Sequence, residues 1–259
     1  MAVVPVVHRD AALRATIKKG LPRGVRMKLC RGPERLEPLL QSELVDAIVL
    51  DVRTHGVDHL TFLSENYPGI PVFAMSPFRP DDGRLLTACL ENGVRGILVE
   101  GVDDAAAGEM VASGSAGRVR RMALADAPRL LRLTEPIQLE AWRLVLDRVG
   151  TGTRTSDVAR ALRKTREHLS REFGAGGAPN LKRVLDLVCA AWAADLLRNP
   201  GYSVRAVASI LGLSSASHLA VTARRVAGAT PRELGDLGPR GVLRRFLKGR
   251  TRSRVSTGC

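Results

Sequence analysis

The feature that most constrains this chain is an internal repeat. Val158-Ala159-Arg160-Ala161-Leu162 returns 49 residues later as Val207-Ala208-Ser209-Ile210-Leu211. Apolar positions three and four apart suit one face of a helix, so the repeat predicts two similar helical units. In the second unit, Ser203 is the expected N-cap of a helix ending near Leu211. Gly212 supplies the positive φ of a tight turn, and Ser214 is the expected cap of the next helix. There Leu219, Ala223 and Val226 fall on the core face, which leaves Ser215, His218, Thr222 and Arg225 for the outward face. In the first unit Thr155 or Ser156 is the expected cap, and Val158, Ala159 and Leu162 pack. Thr165 caps the following helix, Leu169 and Phe173 anchor it, and Arg166, Glu167, Ser170 and Arg171 point outward.

Between the units one long helix is predicted from about Asn180 to Leu197, stopped by Asn199-Pro200-Gly201. Its buried stripe is Leu181, Val184, Leu185, Val188, Trp192 and Leu196. At 1.5 Å per residue it is about 27 Å long. Helices held at its two ends could meet successive major-groove faces of a duplex, about 34 Å apart. Arg166 has the donors to read guanine bidentately, and Glu167 can accept from a cytosine amino group.

Charge points to the same half. The formal net charge is +14, yet residues 1–117 carry 13 Lys/Arg against 15 Asp/Glu, and residues 118–259 carry 27 against 11. A basic domain joined to a near-neutral one implies a polyanionic partner at one end only. Aromatics are only 3%, which disfavours the stacking platforms of single-strand or RNA binders. Double-stranded DNA is the expected partner, with RNA polymerase and a second copy of the chain as further candidates.

The first hundred residues alternate β-branched runs with amphipathic stretches. Val3–Val7, Val25–Leu29, Ala47–Leu50, Val72–Met75 and Gly96–Val99 read as strands. Ala11–Lys19, Pro33–Ser42, His59–Asn66 and Asp82–Asn92 read as helices. This alternation predicts a flavodoxin-like parallel five-stranded sheet in an α/β domain over residues 1–102. A linker or weak helix is expected over 103–134, an all-α domain over 135–238 with two helix-turn-helix units, and a basic tail over 239–259. That tail has seven Lys/Arg and no acid, and is expected to begin as a short helix and end disordered.

Two family resemblances attach to these residues. The stretch from Asp157 to about Gly238 resembles the AraC/XylS regulators. The second unit carries it: Val207-Ala208-Ser209-Ile210-Leu211-Gly212-Leu213-Ser214-Ser215-Ala216-Ser217-His218-Leu219, then Gly228-Ala229-Thr230-Pro231-Arg232-Glu233-Leu234. Leu213, Leu219 and Ala223 stand where that family usually has Phe, and Arg163-Lys164 stand where Gly and an apolar residue are common. The resemblance implies sequence-specific DNA binding and transcriptional regulation, with Arg224 and Arg225 on phosphate; a salt bridge to a neighbouring acid is the alternative.

Residues 1–101 resemble a response-regulator receiver. Ala47-Ile48-Val49-Leu50-Asp51 is similar to the strand that ends in the phospho-acceptor, and Ile70-Pro71-Val72-Phe73-Ala74-Met75-Ser76 to the strand that ends in the switch hydroxyl. His8 and Arg9 stand where an acidic pair should hold Mg²⁺, and Glu100 where a lysine should meet phosphate. The domain is therefore read as a degenerate receiver used for dimerisation, partner contact or small-molecule sensing, with Asp51 paired to Arg9 and not phosphorylated. The alternatives are a phosphorylation-dependent response regulator, with Asp51 as acceptor, and a protein-binding adaptor.

An enzyme is not expected: no Walker A, GxGxxG or GxSxG sequence is present, and His8 and His55 lack a nucleophile nearby in sequence. Cys30, Cys89, Cys189 and Cys259 form no CxxC pair, so neither a metal nor another cofactor is expected, and the first three read as reduced core residues. No apolar run approaches a membrane span and no signal peptide is visible, which predicts a cytoplasmic, nucleoid-associated location with no membrane partner.

Overall fold

The structure, a computed structural model, describes residues 2–255, apart from the side chains of 174, 175 and 250–255. It divides into two compact units, 1–119 with Asn199–Tyr202, and 120–198 with 203–259.

The first unit is built on five parallel strands in the order β2-β1-β3-β4-β5. These are β1 (Val3–Val7), β2 (Arg26–Cys30), β3 (Ile48–Leu50), β4 (Val72–Ser76) and β5 (Gly96–Val99). The register pairs Val6 with Val49, Val49 with Phe73, and Phe73 with Gly96. β1 and β3 are buried along their whole length, as continuous apolar runs covered on both faces must be. β2 is an edge: Leu29 is half exposed, while Arg26 and Lys28 both pair with Glu43. Charges on an edge strand discourage unwanted strand pairing. The connecting helices are α1 (Ala11–Gly20), α2 (Leu36–Ser42), α3 (Val52–His55), α4 (Asp58–Asn66) and α5 (Gly83–Glu91).

The stretch read as a linker or weak helix is largely helical: α6 (Ala107–Ser113), α7 (Ala116–Ala123) and α8 (Ala127–Leu130). Ala107 and Val111 of α6 are fully buried in the core formed by Val4, Val6, Leu13, Ile17 and Leu98. Small residues concealed this role in the sequence. α6 crosses α1 so closely that a Cβ on Gly108 would lie 2.4 Å from the Ile17 carbonyl oxygen, and one on Gly20 2.7 Å from Gly108 Cα. The Ala/Gly composition that resembled a linker is what this crossing requires.

The remainder is helical: α9 (Pro136–Asp147), α10 (Thr155–Ala161), α11 (Arg166–Gly174), α12 (Leu181–Leu196), α13 (Val204–Ile210), α14 (Ala216–Ala227) and α15 (Pro231–Val255). α12 is the core of this unit. It buries Leu181, Val184, Leu187, Val188, the whole run Ala190–Ala194 and Leu196, a broader surface than the single stripe expected, and Leu185 is only half-buried. α15 bends at Gly238, where φ is 61°, immediately before Pro239. Val242, Leu243 and Phe246 beyond the bend are buried. The basic tail therefore continues as a packed helix; the disordered end expected of it lies, for residues 256–259, outside the described residues, as does Cys259.

Gly108→Ala should destabilise the first unit by about 1–3 kcal/mol, because the added carbon has no space beside the Ile17 carbonyl. Urea unfolding of the variant beside the wild type measures this; an unchanged midpoint would show that the crossing adjusts freely.

Candidate nucleic-acid interface

The two helix pairs repeat a turn as well as a sequence. At the end of α10, the Leu162 amide donates to the Val158 carbonyl (3.0 Å), Arg163 to Arg160 (3.1 Å) and Lys164 to Ala159 (2.9 Å). At the end of α13, Leu211 donates to Val207 (3.0 Å), Gly212 to Ser209 (3.0 Å) and Leu213 to Ala208 (2.9 Å). Each bond has its counterpart 49 residues on. Both turns pass through the left-handed region, at Arg163 (φ 55°) and Gly212 (φ 69°). This is the helix stop in which a left-handed residue lets two amides satisfy the last carbonyls. At Gly212 glycine is required twice over, since a Cβ there would also sit 2.4 Å from the Gly152 nitrogen.

Two of the four expected caps change. Ser203 does cap α13 by accepting from Ala206 N, and Thr165 caps α11 by accepting from His168 N. Ser215, not Ser214, caps α14, its hydroxyl accepting from His218 N at 3.1 Å. Ser214 faces His218 Nδ1 at 3.2 Å instead. At α10 the cap position falls on Arg154, whose amide donates to Asp157 (2.9 Å), and Thr155 and Ser156 lie inside the helix.

The second helix of the first pair presents its residues as expected. Arg166, Glu167, Ser170 and Arg171 are exposed, and Leu169 and Phe173 are buried. On α14, Ser215, Arg224 and Arg225 are exposed and His218 is half-buried. Thr222 is a correction. It lies three residues beyond Leu219 and four before Val226, which places it on the packed face, and it is only 1% exposed. The outward line of α14 instead runs through Ser217, Val221 and Arg224. Arg225 makes the salt bridge weighed against phosphate contact: its Nη2 lies 2.7 Å from Asp186 Oδ2. Lys182 Nζ takes the other oxygen at 2.5 Å.

Arg166 and Ser170 of α11 share a groove with Ser214 and His218 of the second pair. The groove encloses about 850 Å³ over α12, with Leu181, Leu185 and Val188 among its lining. Cys189 also lines it, and burial pushes that thiol up to about 12, which keeps it protonated. Gln138 is a contributor the sequence did not reveal. It is fully buried on α9; its amide donates to the Phe173 carbonyl (3.0 Å) and the Glu172 carbonyl (3.2 Å), and so satisfies the end of α11. Its oxygen accepts from Thr134 N and Glu135 N. Gln at the third position of a helix opened by Pro136 signals a capping box; its second reach, to α11, leaves no local trace.

At the carboxyl ends of the strands in the first unit, Asp51 is 5% exposed and does not pair with Arg9 as expected. It caps α3, accepting from Thr54 N (3.1 Å) and from the Ser76 hydroxyl (2.9 Å). Burial pushes this carboxyl up, but the bonds from Thr54 and Ser76, with the nearby His8, outweigh burial and hold it below its ordinary value. His8 Nε2 lies 2.8 Å from Glu100 Oε1, and His8 Nδ1 accepts from Asp10 N (3.1 Å). The Asp10 carboxylate is engaged as the cap of α1. The residues a receiver would offer to Mg²⁺ are thus replaced by an imidazole and a capping carboxylate, and this set does not fit the metal. Among the described residues no group of three or more His, Cys, Asp or Glu could hold a metal ion, and no helix is long and apolar enough to cross a membrane.

No family model matches the chain, and no curated protein matches it. Among solved structures, full-length FixJ from B. japonicum aligns at 16% identity over 86% of this chain and 96% of its own, with a TM-score of 0.37. RcsB from Salmonella enterica serovar Typhimurium, bound to promoter rprA with the phosphomimetic BeF3-, aligns at 15% identity over 72% and 98%, with a TM-score of 0.37. The response regulator StyR aligns at 18% over 72% and 98%, with a TM-score of 0.36. Scores this low do not bear on function.

Two variants probe the turns. Gly212→Ala should cost about 1–3 kcal/mol, from left-handed strain and the clash with Gly152. Arg163→Gly should be neutral or stabilise by up to about 1 kcal/mol, since it removes the penalty of a side chain at positive φ. Urea midpoints of both variants decide whether the two turns differ in this way. A third measurement addresses Asp51. Because its folded carboxyl lies below the ordinary 3.8, it stabilises the fold above that value, and the contribution fades as pH falls from there through the lowered value. Asp51→Asn should flatten this acid-side decline in urea titrations taken from about pH 5 downward; an unaltered decline would assign it to other carboxylates.

Proposed function

We propose that this chain is a sequence-specific DNA-binding transcriptional regulator of the AraC/XylS type, in which α10–α11 and α13–α14 are two helix-turn-helix units. The observation that carries the reading is the duplicated turn, bond for bond at a 49-residue interval, with residues of both pairs lining one groove. Two helices whose N-terminal ends share a groove, the first with Arg166, Glu167 and Ser170 exposed and the second with Ser217 exposed, suit a major-groove reader. The excess positive charge lies in the same half of the chain, which suits a phosphate backbone.

The residues assigned to base edges are Arg166, Glu167, Ser170 and Arg171 on α11, and Ser217 and His218 on α14; Ser215 serves mainly as the cap. Arg224 is assigned to phosphate. Arg225 acts through Asp186, holding α14 against α12. Thr222 takes no part. The first unit is read as a receiver-like domain that is not phosphorylated, since Asp51 is committed to Thr54 and Ser76, and Glu100 to His8. Its role is regulatory contact, with a second copy or RNA polymerase among the candidate partners. No catalytic role is assigned.

Duplexes selected from a random pool, followed by gel shifts over a salt series, test this. Wild type should prefer a defined sequence and lose affinity steeply with salt. Arg166→Ala should change the preferred base at one position, at a cost of about 1–3 kcal/mol on the selected duplex. Arg224→Ala should weaken all duplexes alike. Binding indifferent to sequence, or none, would reject the regulator and favour an adaptor.

A further inference from the structure

The groove between the helix pairs holds cations that the base-reading assignment leaves unused. Arg148, at the end of α9, and Arg154, before α10, both line it. Arg148 is half-buried and Arg154 exposed, and among the described residues no carboxylate forms a salt bridge with either. The acid lining the groove, Asp186, is already neutralised by Lys182 and Arg225. The loop between the two arginines is fixed in place. The Arg148 carbonyl accepts from the hydroxyls of Thr151 (2.7 Å) and Thr153 (3.2 Å), and Gly152 abuts the Gly212 turn. Two guanidiniums without a carboxylate partner among the described residues thus stand on a fixed backbone, and an anion has only their side chains to order.

Duplex geometry supplies the anion. A protein that inserts two helices into neighbouring major-groove segments must straddle the sugar-phosphate backbone that runs between them. Whatever lies midway between the helices faces that backbone. In this chain the midway position, between Arg166 and Ser170 on one side and Ser214 and His218 on the other, is the groove. We propose that the groove between the two helix pairs seats the phosphodiester backbone separating the two half-sites, with Arg148 and Arg154 as its neutralising groups. This rests on the regulator reading and extends it to two residues that read no base.

The test uses the full chain, a selected duplex and fluorescence anisotropy across a salt series. Each neutralised phosphate contributes about 0.9 to the slope of log K against log salt, so Arg148→Gln with Arg154→Gln should make the slope shallower by about 2. The loss should be equal for all duplexes, and the preferred sequence should not change. Arg143→Gln, on the exposed side of α9 and outside the groove, should behave as wild type. A slope unchanged in the double variant, or one altered as much by Arg143→Gln, overturns the proposal. A second arm needs no protein variant: neutral methylphosphonate linkages between the half-sites should weaken wild-type binding, and no effect there overturns it too. Inorganic phosphate that stabilises wild type but not the double variant, with duplex slopes equal, would assign the groove to a free anion instead. If wild type binds without sequence preference while the double variant still loses slope, the regulator reading fails and the groove stands. If a selected duplex is bound with the slope intact, the regulator stands and the groove fails.

Discussion

Burial of α12 is the condition on which the helical unit depends. A helix covered almost all round fixes the positions of everything packed on it, because a close-packed interior does not deform gradually. Asp186 makes that fixation specific. Its side chain is 7% exposed, and it holds Arg225 of α14 while Lys182 balances it from the same helix. A buried carboxylate stripped of its partners is costly, so this pair selects one rotation of α14 against α12 over other apolar packings. Arg120 does the same elsewhere on α12: it is fully buried, with Nε 2.6 Å from Asp195 Oδ2. Both helix pairs inherit their placement from this helix.

Much of this was legible in the sequence. The five strands were found to within about a residue at most ends, because β-branched runs bounded by turn residues have few alternatives. The repeat located both helix pairs and both turns, and the core positions Leu169, Phe173, Leu219, Ala223 and Val226 are buried as periodicity requires. Misreadings arose where tertiary contact overrides local pattern. Thr222 is polar, and hydroxyls are ordinarily sent outward; here the phase of the helix places it inside, where its Oγ1 finds no partner among the described residues. Residues 107–113 looked like a linker because small residues lack apolar weight, yet small residues are what two helices in backbone contact demand. The reach of Gln138 to α11 and the pairing of Asp186 with Arg225 gave no signal, since those partners lie tens of positions away.

In the first unit the strand ends bring His8, Asp10 and Glu100 together. His8 Nδ1 accepts from Asp10 N, and its Nε2 faces Glu100. Both nitrogens are thus engaged. Beside the ring, Asp51 accepts from Thr54 N and from the Ser76 hydroxyl, a second hydrogen-bonded group at the strand ends.

The repeat also loses its symmetry part-way through. The two turns coincide at an interval of 49 residues, but the caps Thr165 and Ser215, and the anchors Leu169 and Leu219, coincide at 50. The additional residue is Ser214, which lies in the turn before the cap, so the second helices of the two pairs correspond at 50. In the interval of 50, Arg166, Glu167 and Arg171 correspond to Ala216, Ser217 and Val221. Charged groups on one head thus stand opposite small or apolar ones on the other. A duplex engaged by both would present two unlike half-sites, so the bound protein would have a direction along the DNA, as an arrow does and a palindrome does not.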